Sequence, residues 1–220
     1  MRIKNKKDIR EMGSGNPGLT NALRTGGKST AVLVLLFDVL KGIISILAVR
    51  SFYLLLFPPP TIDTATWTLI DAMNFLTGND EFGRYYFILH VFLWTASLFA
   101  VLGHCFPVYY KFKGGKAVLV TVATGLVINW QAALIALILF IIIVAITKYV
   151  SLGSVIAAAL YPVCVFLTEN LGVISGKNTN SLSFIGTIFT TTIAVILIWK
   201  HKENIKRLIN KTEKKLGEKK

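Results

Sequence analysis

The chain has 220 residues, of which 54% are hydrophobic and only 16% charged, and its mean hydropathy is +0.62. A water-soluble domain needs about a quarter of its residues charged to cover its surface, so the composition excludes a soluble globule, and equally disorder, collagen and a coiled coil. The net charge of +13 collects mainly at the two ends, while Cys105 and Cys164 lie in apolar stretches and fit neither a disulfide framework nor metal-ligand spacing.

Residues 1–30 form a basic segment (Arg2, Lys4, Lys6, Lys7, Arg10, Arg24, Lys28) around Gly13-Ser14-Gly15-Asn16-Pro17-Gly18-Leu19-Thr20-Asn21. Closely spaced glycines let backbone N–H groups turn toward one anion such as phosphate. Ser14, Thr20 and Asn21 add neutral hydrogen bonds, and Arg24 offers a two-pronged phosphate contact. The same stretch also reads as a flexible loop beside the membrane. No cleavable signal peptide is visible, because the apolar run starts late and lacks a small-residue cleavage site.

The first predicted helix is Ala31–Phe57, apolar except for Asp38, Lys41 and Arg50, and stopped by Pro58-Pro59-Pro60. Asp38 and Lys41 stand at i and i+3 and read as a neutralised pair, since isolated charges inside a membrane bundle are costly. Residues 58–84 carry Asp63, Asp71, Asp80 and Glu81 against Arg84 and are expected to form an extracytoplasmic loop. The second predicted helix, Tyr85–Tyr110, holds no formal charge.

The second polar cluster begins with Gly103-His104-Cys105-Phe106-Pro107 and continues through Lys111 to Phe112-Lys113-Gly114-Gly115-Lys116. Glycines ahead of a helix starting near Ala117 place N–H groups at its positive end, with Lys116 as a point charge beside them. The spacing is not that of a nucleotide P-loop. His104 reads as base, acid or phosphate donor, or as a plain interfacial hydrogen-bonding residue. Lys113 and Lys116 also fit ordinary markers of the inner membrane face.

Ala117–Thr147 has no formal charge and measures ~46 Å as a helix. It reads either as one tilted span or as a hairpin turning at Asn129-Trp130-Gln131. The positive-inside rule places the N-terminal segment, the Lys111–Lys116 loop and the tail on one side, which requires an even number of crossings and therefore the hairpin. Tyr149–Thr168 and Ser181–Trp199 complete six spans, joined by an outward turn at Leu171–Asn180. Ser151 and Ser154 flank Gly153 and read first as small packing residues and second as ligand contacts. The tail, residues 200–220, includes His201-Lys202-Glu203-Asn204-Ile205-Lys206-Arg207-Leu208, where Asn204 and Arg207 share one helical face and suit a bound phosphate, or simply a solvated amphipathic tail. The expected architecture is all-α: a polytopic membrane helix bundle of about six spans forming a single membrane-embedded domain over residues 1–220, with both termini cytoplasmic. Metal-ligand clusters, a nucleophile elbow, a dinucleotide fingerprint and a polar row along several spans are absent from the sequence.

At the three clusters the chain resembles the PlsY family, bacterial acyl-phosphate:glycerol-3-phosphate acyltransferases. The family motif GSGNxGxTNxxR is read at Gly13 to Arg24, D-x-x-K-G at Asp38 to Gly42, G-H-x-F-P…F-K-G-G-K at Gly103 to Lys116, and E-N-I-x-R-L at Glu203 to Leu208, in family order. Tyr149 to Ser154 matches a further family segment. The resemblance implies transfer of a fatty acyl group from acyl-phosphate to the 1-hydroxyl of glycerol 3-phosphate, giving lysophosphatidate and phosphate, the first step of bacterial phospholipid synthesis. It implies no metal or nucleotide cofactor and no nucleic-acid partner; membrane lipids are the surroundings, the bacterial inner membrane the location, and a monomer the simplest state. Carried over by position, Ser14 and His104 would lie at the reacting atoms. Gly13, Gly15, Asn16, Gly18, Thr20, Asn21, Arg24, Lys113, Gly114, Gly115, Lys116, Ser151, Asn204 and Arg207 would bind substrate.

The chain departs from the family in four respects. Family members have seven spans, with an apolar helix ahead of the first motif, whereas this sequence starts Met1-Arg2-Ile3-Lys4. Leu19 replaces the usual Ala, Ala117 follows G-G-K where Gly is usual, and the outer loop is longer. These departures carry a second reading, a catalytically impaired relative that binds phosphorylated lipid or regulates its partners. A transporter or small channel is the remaining reading.

Overall fold

The structure, a computed structural model, describes residues 9–59, 81–170 and 180–218. Among the described residues every regular element is helical: α1 (Leu19–Leu56), α2 (Glu81–Cys105), α3 (Val118–Ile128), α4 (Trp130–Thr147), α5 (Val150–Asn170), α6 (Asn180–Lys200) and α7 (Lys202–Ile209), with single 3-10 turns at Ile9–Glu11 and Val108–Tyr110. The chain is a multi-pass membrane protein. Five of these helices are long and apolar enough to cross a bilayer. Their outward side chains are apolar too: Phe37, Leu55 and Ile146 are all more than 60% exposed. Such faces are what a hydrocarbon solvent requires.

α1 begins earlier than the apolar pattern predicts. Leu19 to Gly26 forms a short helical stub, and the chain changes direction at Gly27, whose φ is 76°, before continuing through the apolar run. At its far end the Phe57 N–H donates to the Tyr53 carbonyl at 2.8 Å, and Pro58 and Pro59 cannot extend the ladder. Lys41 Nζ donates to Asp38 Oδ1 at 2.5 Å, the pairing that their spacing suggests. Gly42 brings α1 close to α3, since a Cβ there would lie 2.8 Å from the Ala123 methyl. Small residues at such crossings hold membrane helices together where water does not drive them.

The long apolar stretch is a hairpin, broken at Asn129. Asn129 caps α4 by accepting from the Ala132 N–H at 3.0 Å, and its amide donates to Thr168 Oγ1 at 3.0 Å. The first arm differs from expectation. α3 has 11 residues, which rise only ~16 Å and so make about half a crossing rather than a full span. The loop before it takes up the difference by running into the bundle, where the Gly115 N–H donates to the His104 carbonyl at 3.1 Å.

The core comprises Trp94 with Ala132, Ala133, Ala136, Tyr161, Cys164 and Val165, a second cluster around Val101, Val120 and Ile193, and a third where Ile46 and Tyr53 meet Tyr85 and Leu89. Of the expected outer loop 58–84, residues 60–80 lie outside the described residues, as does the Leu171–Asn180 turn except for Asn180 itself. α5 and α6 pack side by side, α2 and α3 fill the space between them and α1, and α7 folds back onto α5 at the end that also carries the N-terminal loop.

Candidate functional site

At that end the three polar clusters surround one cavity of about 1110 Å³. From the first cluster Gly13, Ser14, Asn16, Gly18, Thr20, Asn21 and Arg24 line it; from the second, His104 and Lys116; from the third, Asn204 and Arg207; α5 adds Ser151 and Ser154. Asp38 and His201 reach it as well. Deeper in, the wall turns apolar along α4 and α5, where Leu137, Phe140, Ala157 and Ala158 take over. The space therefore has a cationic mouth and a hydrocarbon-like interior.

The N-terminal loop is organised by a side chain that the sequence assigned to substrate. Asn21 is only 2% exposed. Its Oδ1 accepts from the Ser14 N–H at 2.9 Å, and its amide donates to the carbonyls of Ile9 and Met12 at 3.0 Å each. The Ser14 and Gly15 N–H groups thus bond within the loop rather than facing outward. What the loop presents to the cavity is the backbone of Gly13 and Gly18 and the residues Ser14, Asn16 and Thr20, with Arg24 one turn into α1 beyond them.

The second cluster meets the cavity differently at each residue. A Cβ on Gly114 would run into the His104 carbonyl, and one on Gly115 into the His104 ring. Both glycines serve this close approach, and neither they nor Gly15 nor the exposed Lys113 line the cavity. His104 turns Nδ1 toward Asp38 Oδ1 at 3.6 Å. Ala117, in the left-handed region with φ 59° and 2% exposed, makes the turn into α3. An alanine there costs ~1–2 kcal/mol relative to an unstrained conformation, which gives glycine a physical reason to be the usual residue. Its methyl packs among Val101, Val120 and Leu197. The first turn of α3 abuts the cavity through Val118 and Leu119, so the positive end of that helix adds to the local field.

Lys116 Nζ donates to Asn204 Oδ1. Burial pulls its pKa down to about 8; Glu213 opposes that shift, while Arg207, Arg24 and Lys200 reinforce it. α7 is a separate short helix, set off from α6 by His201, and it carries Asn204 and Arg207 to the mouth.

Two residues of this site were not singled out from the sequence. Glu213 places its carboxylate among three groups expected to grip phosphate. It accepts from Ser151 Oγ at 2.8 Å, Asn204 Nδ2 at 2.7 Å and Arg207 Nε at 2.7 Å. Burial alone would raise its pKa, yet these bonds and the Arg207 charge outweigh burial and hold it below the ordinary carboxylate value. The basic tail around it hides this acid, because a carboxylate between lysines reads as a solvated pair. His201 is 2% exposed, and its Nδ1 lies 2.7 Å from the Leu197 carbonyl. Burial first, and Lys116 second, pull its pKa down to about 4, so the ring is neutral at pH 7 and the bond to a carbonyl places the proton on Nδ1. Among the described residues no group of His, Cys, Asp and Glu is arranged to hold a metal ion.

Residues 1–211 match the family described as glycerol-3-phosphate acyltransferase. A glycerol-3-phosphate acyltransferase of Francisella tularensis subsp. tularensis (strain FSC 198) is 34% identical over 210 residues, covering 96% of this chain and 80% of that protein. One from Gloeobacter violaceus is 34% identical over 217 residues, covering 99% and 85%. Two crystal structures of PlsY, an integral membrane glycerol 3-phosphate acyltransferase, share the fold. The glycerol 3-phosphate form has a TM-score of 0.67 and 28% identity, covering 97% of this chain and 84% of that one. The lysophosphatidic acid form has a TM-score of 0.64 and 29% identity, covering 93% and 82%.

Proposed function

Because the chain belongs to the glycerol-3-phosphate acyltransferase family, we propose that the cavity is where glycerol 3-phosphate meets an acyl-phosphate donor. The chain is a membrane acyltransferase that acylates glycerol 3-phosphate to lysophosphatidate, an enzyme of phospholipid synthesis. The observation that carries the donor assignment is the shape of the cavity, which suits a molecule with phosphate at one end and a long hydrocarbon at the other. The mouth faces the cytoplasm of a bacterial inner membrane, with both termini on that side; the basic residues of the ends and of the 111–116 loop support that orientation. One chain supplies every group named, so a monomer suffices.

Arg24, Lys116, Asn204, Arg207 and Ser151, with Ser14 and Thr20, hold the two phosphates. Substrate phosphate takes over the donors that Glu213 engages on Ser151, Asn204 and Arg207. The 1-hydroxyl oxygen attacks the acyl carbonyl carbon, the bond from that carbon to the phosphate oxygen breaks, and inorganic phosphate leaves. Negative charge grows on the carbonyl and leaving oxygens, where the cations and the α3 N-terminus are already placed to stabilise it. The hydroxyl proton passes to a phosphate oxygen of glycerol 3-phosphate, a stronger base than the His201 ring held at about 4. His104, lying between Asp38 and Gly115, shapes the loop that carries Lys116 at the reacting end.

The test is phosphate release from palmitoyl phosphate in the presence of glycerol 3-phosphate, with lysophosphatidate identified as the product. Lys116→Ala and Arg207→Ala should each lower kcat/KM by about a hundredfold or more, as expected for losing a charged donor at a developing anion. Near-normal turnover in both variants would refute the assignment.

A further inference from the structure

An acyl donor needs room for its tail, and the walls of the cavity show where that room stops. Along α5 the cavity is lined by Val150, Ser151, Ser154, Ala157, Ala158 and Tyr161. After Val150 at the mouth, every side chain in this series is small until Tyr161. Tyr161 also belongs to a close-packed cluster in which Ala133 and Ala136 line the cavity with it, while Trp94, Cys164 and Val165 do not. The ring therefore stands where the cavity meets packed protein.

The ring is also held in place. A Cβ on Gly125 would collide with the Tyr161 hydroxyl and lie 3.1 Å from the Ala133 methyl, so the ring tip fills the notch left by that glycine. Tyr161 is 5% exposed, and among the described residues its hydroxyl has no hydrogen-bond partner. No polar network therefore explains the residue, whereas a terminal wall does.

We propose that Tyr161 is the floor of the acyl channel and sets the upper limit of chain length for the donor; this rests on the cavity being the acyl-transfer site. From Ser151 to Tyr161 α5 rises ~15 Å, room for a straight chain of about a dozen carbons. Longer tails must bend or leave methylenes unburied, and each methylene left out forfeits about fourfold in affinity.

The experiment measures kcat/KM for octanoyl, dodecanoyl, palmitoyl and stearoyl phosphate with the purified full chain in detergent. In the wild type the value rises to about dodecanoyl and gains nothing beyond it. Tyr161→Ala opens the channel toward Trp94 and raises the stearoyl-to-dodecanoyl ratio by about tenfold, the scale of one to two methylenes. Tyr161→Phe, of equal length, retains the wild-type ratio. Ala157→Phe blocks the channel halfway and shifts preference toward octanoyl; it decides the matter if Tyr161→Ala fails to fold. Values that keep climbing with length in the wild type, or an unchanged profile in Ala157→Phe and in a folded Tyr161→Ala, overturn the proposal while leaving acyl transfer intact. No phosphate release with any donor instead refutes the acyl-transfer reading, and this proposal with it.

Discussion

Lys116 shows how a single position couples charge to burial. Burial holds its pKa at about 8, and a bound phosphate dianion would raise it, so substrate binds best while the amine is protonated. Binding should weaken as pH climbs past about 8. Initial rates between pH 6.5 and 9.5 should therefore show a rising KM for glycerol 3-phosphate, and Lys116→Arg should remove that alkaline limb, because a guanidinium stays charged. Glu213 gives the opposite slope. Its folded pKa is depressed, so its contribution to stability is present above the ordinary carboxylate range and is lost as pH falls through the folded value. Glu213→Gln should lower the unfolding temperature at pH 7, with the gap to wild type closing toward pH 3; a constant gap across that range would contradict the ion pairing. Residue identities were partly legible. Arg24, Lys116 and Arg207 stand out because cations in glycine-rich or helical settings imply an anion, and Asn204 because it shares a helical face with Arg207. Asn21 does not declare itself: an amide in a glycine loop can bond outward to ligand or inward to carbonyls, and only the fold around Ile9 and Met12 selects the inward choice.

Helix existence was readable from hydropathy, and the α3–α4 hairpin from charge parity, since a single span would place the basic tail across the membrane from the other basic clusters. The length of α3 was not readable. It depends on the 113–117 loop entering the bundle, a tertiary event set by the fit of Gly114 and Gly115 around His104. The kink at Gly27 was likewise hidden, because a glycine pair before an apolar run equally marks a loop. Asn129 is the element's weak point. Asn129→Ala removes both an N-cap and a buried bond to Thr168, and should cost ~1–3 kcal/mol. Thermal unfolding in detergent should show that loss while KM for glycerol 3-phosphate stays near wild type, since Asn129 lies outside the site.

For the whole molecule, the decisive property is that every phosphate-binding candidate lies at one end of the bundle. The distribution of lysines and arginines points to that property, and the cavity joins clusters far apart in the chain, with Lys116 and Asn204 meeting across 88 positions. Orientation follows from the same asymmetry and is open to measurement. Lys113 and Lys211 are exposed, and the native Cys105 and Cys164 are buried. Single cysteines at 113 or 211 should resist a membrane-impermeant maleimide in intact spheroplasts and react once the membrane is opened. Labelling of either in intact cells would invert the topology.

The carboxylate of Glu213, seated among Ser151, Asn204 and Arg207, means that the cations of the mouth are never left facing only one another. If the mouth is the phosphate site proposed above, an arriving phosphate has to displace this tethered carboxylate, and the return of Glu213 to Ser151, Asn204 and Arg207 would ease release of the inorganic product.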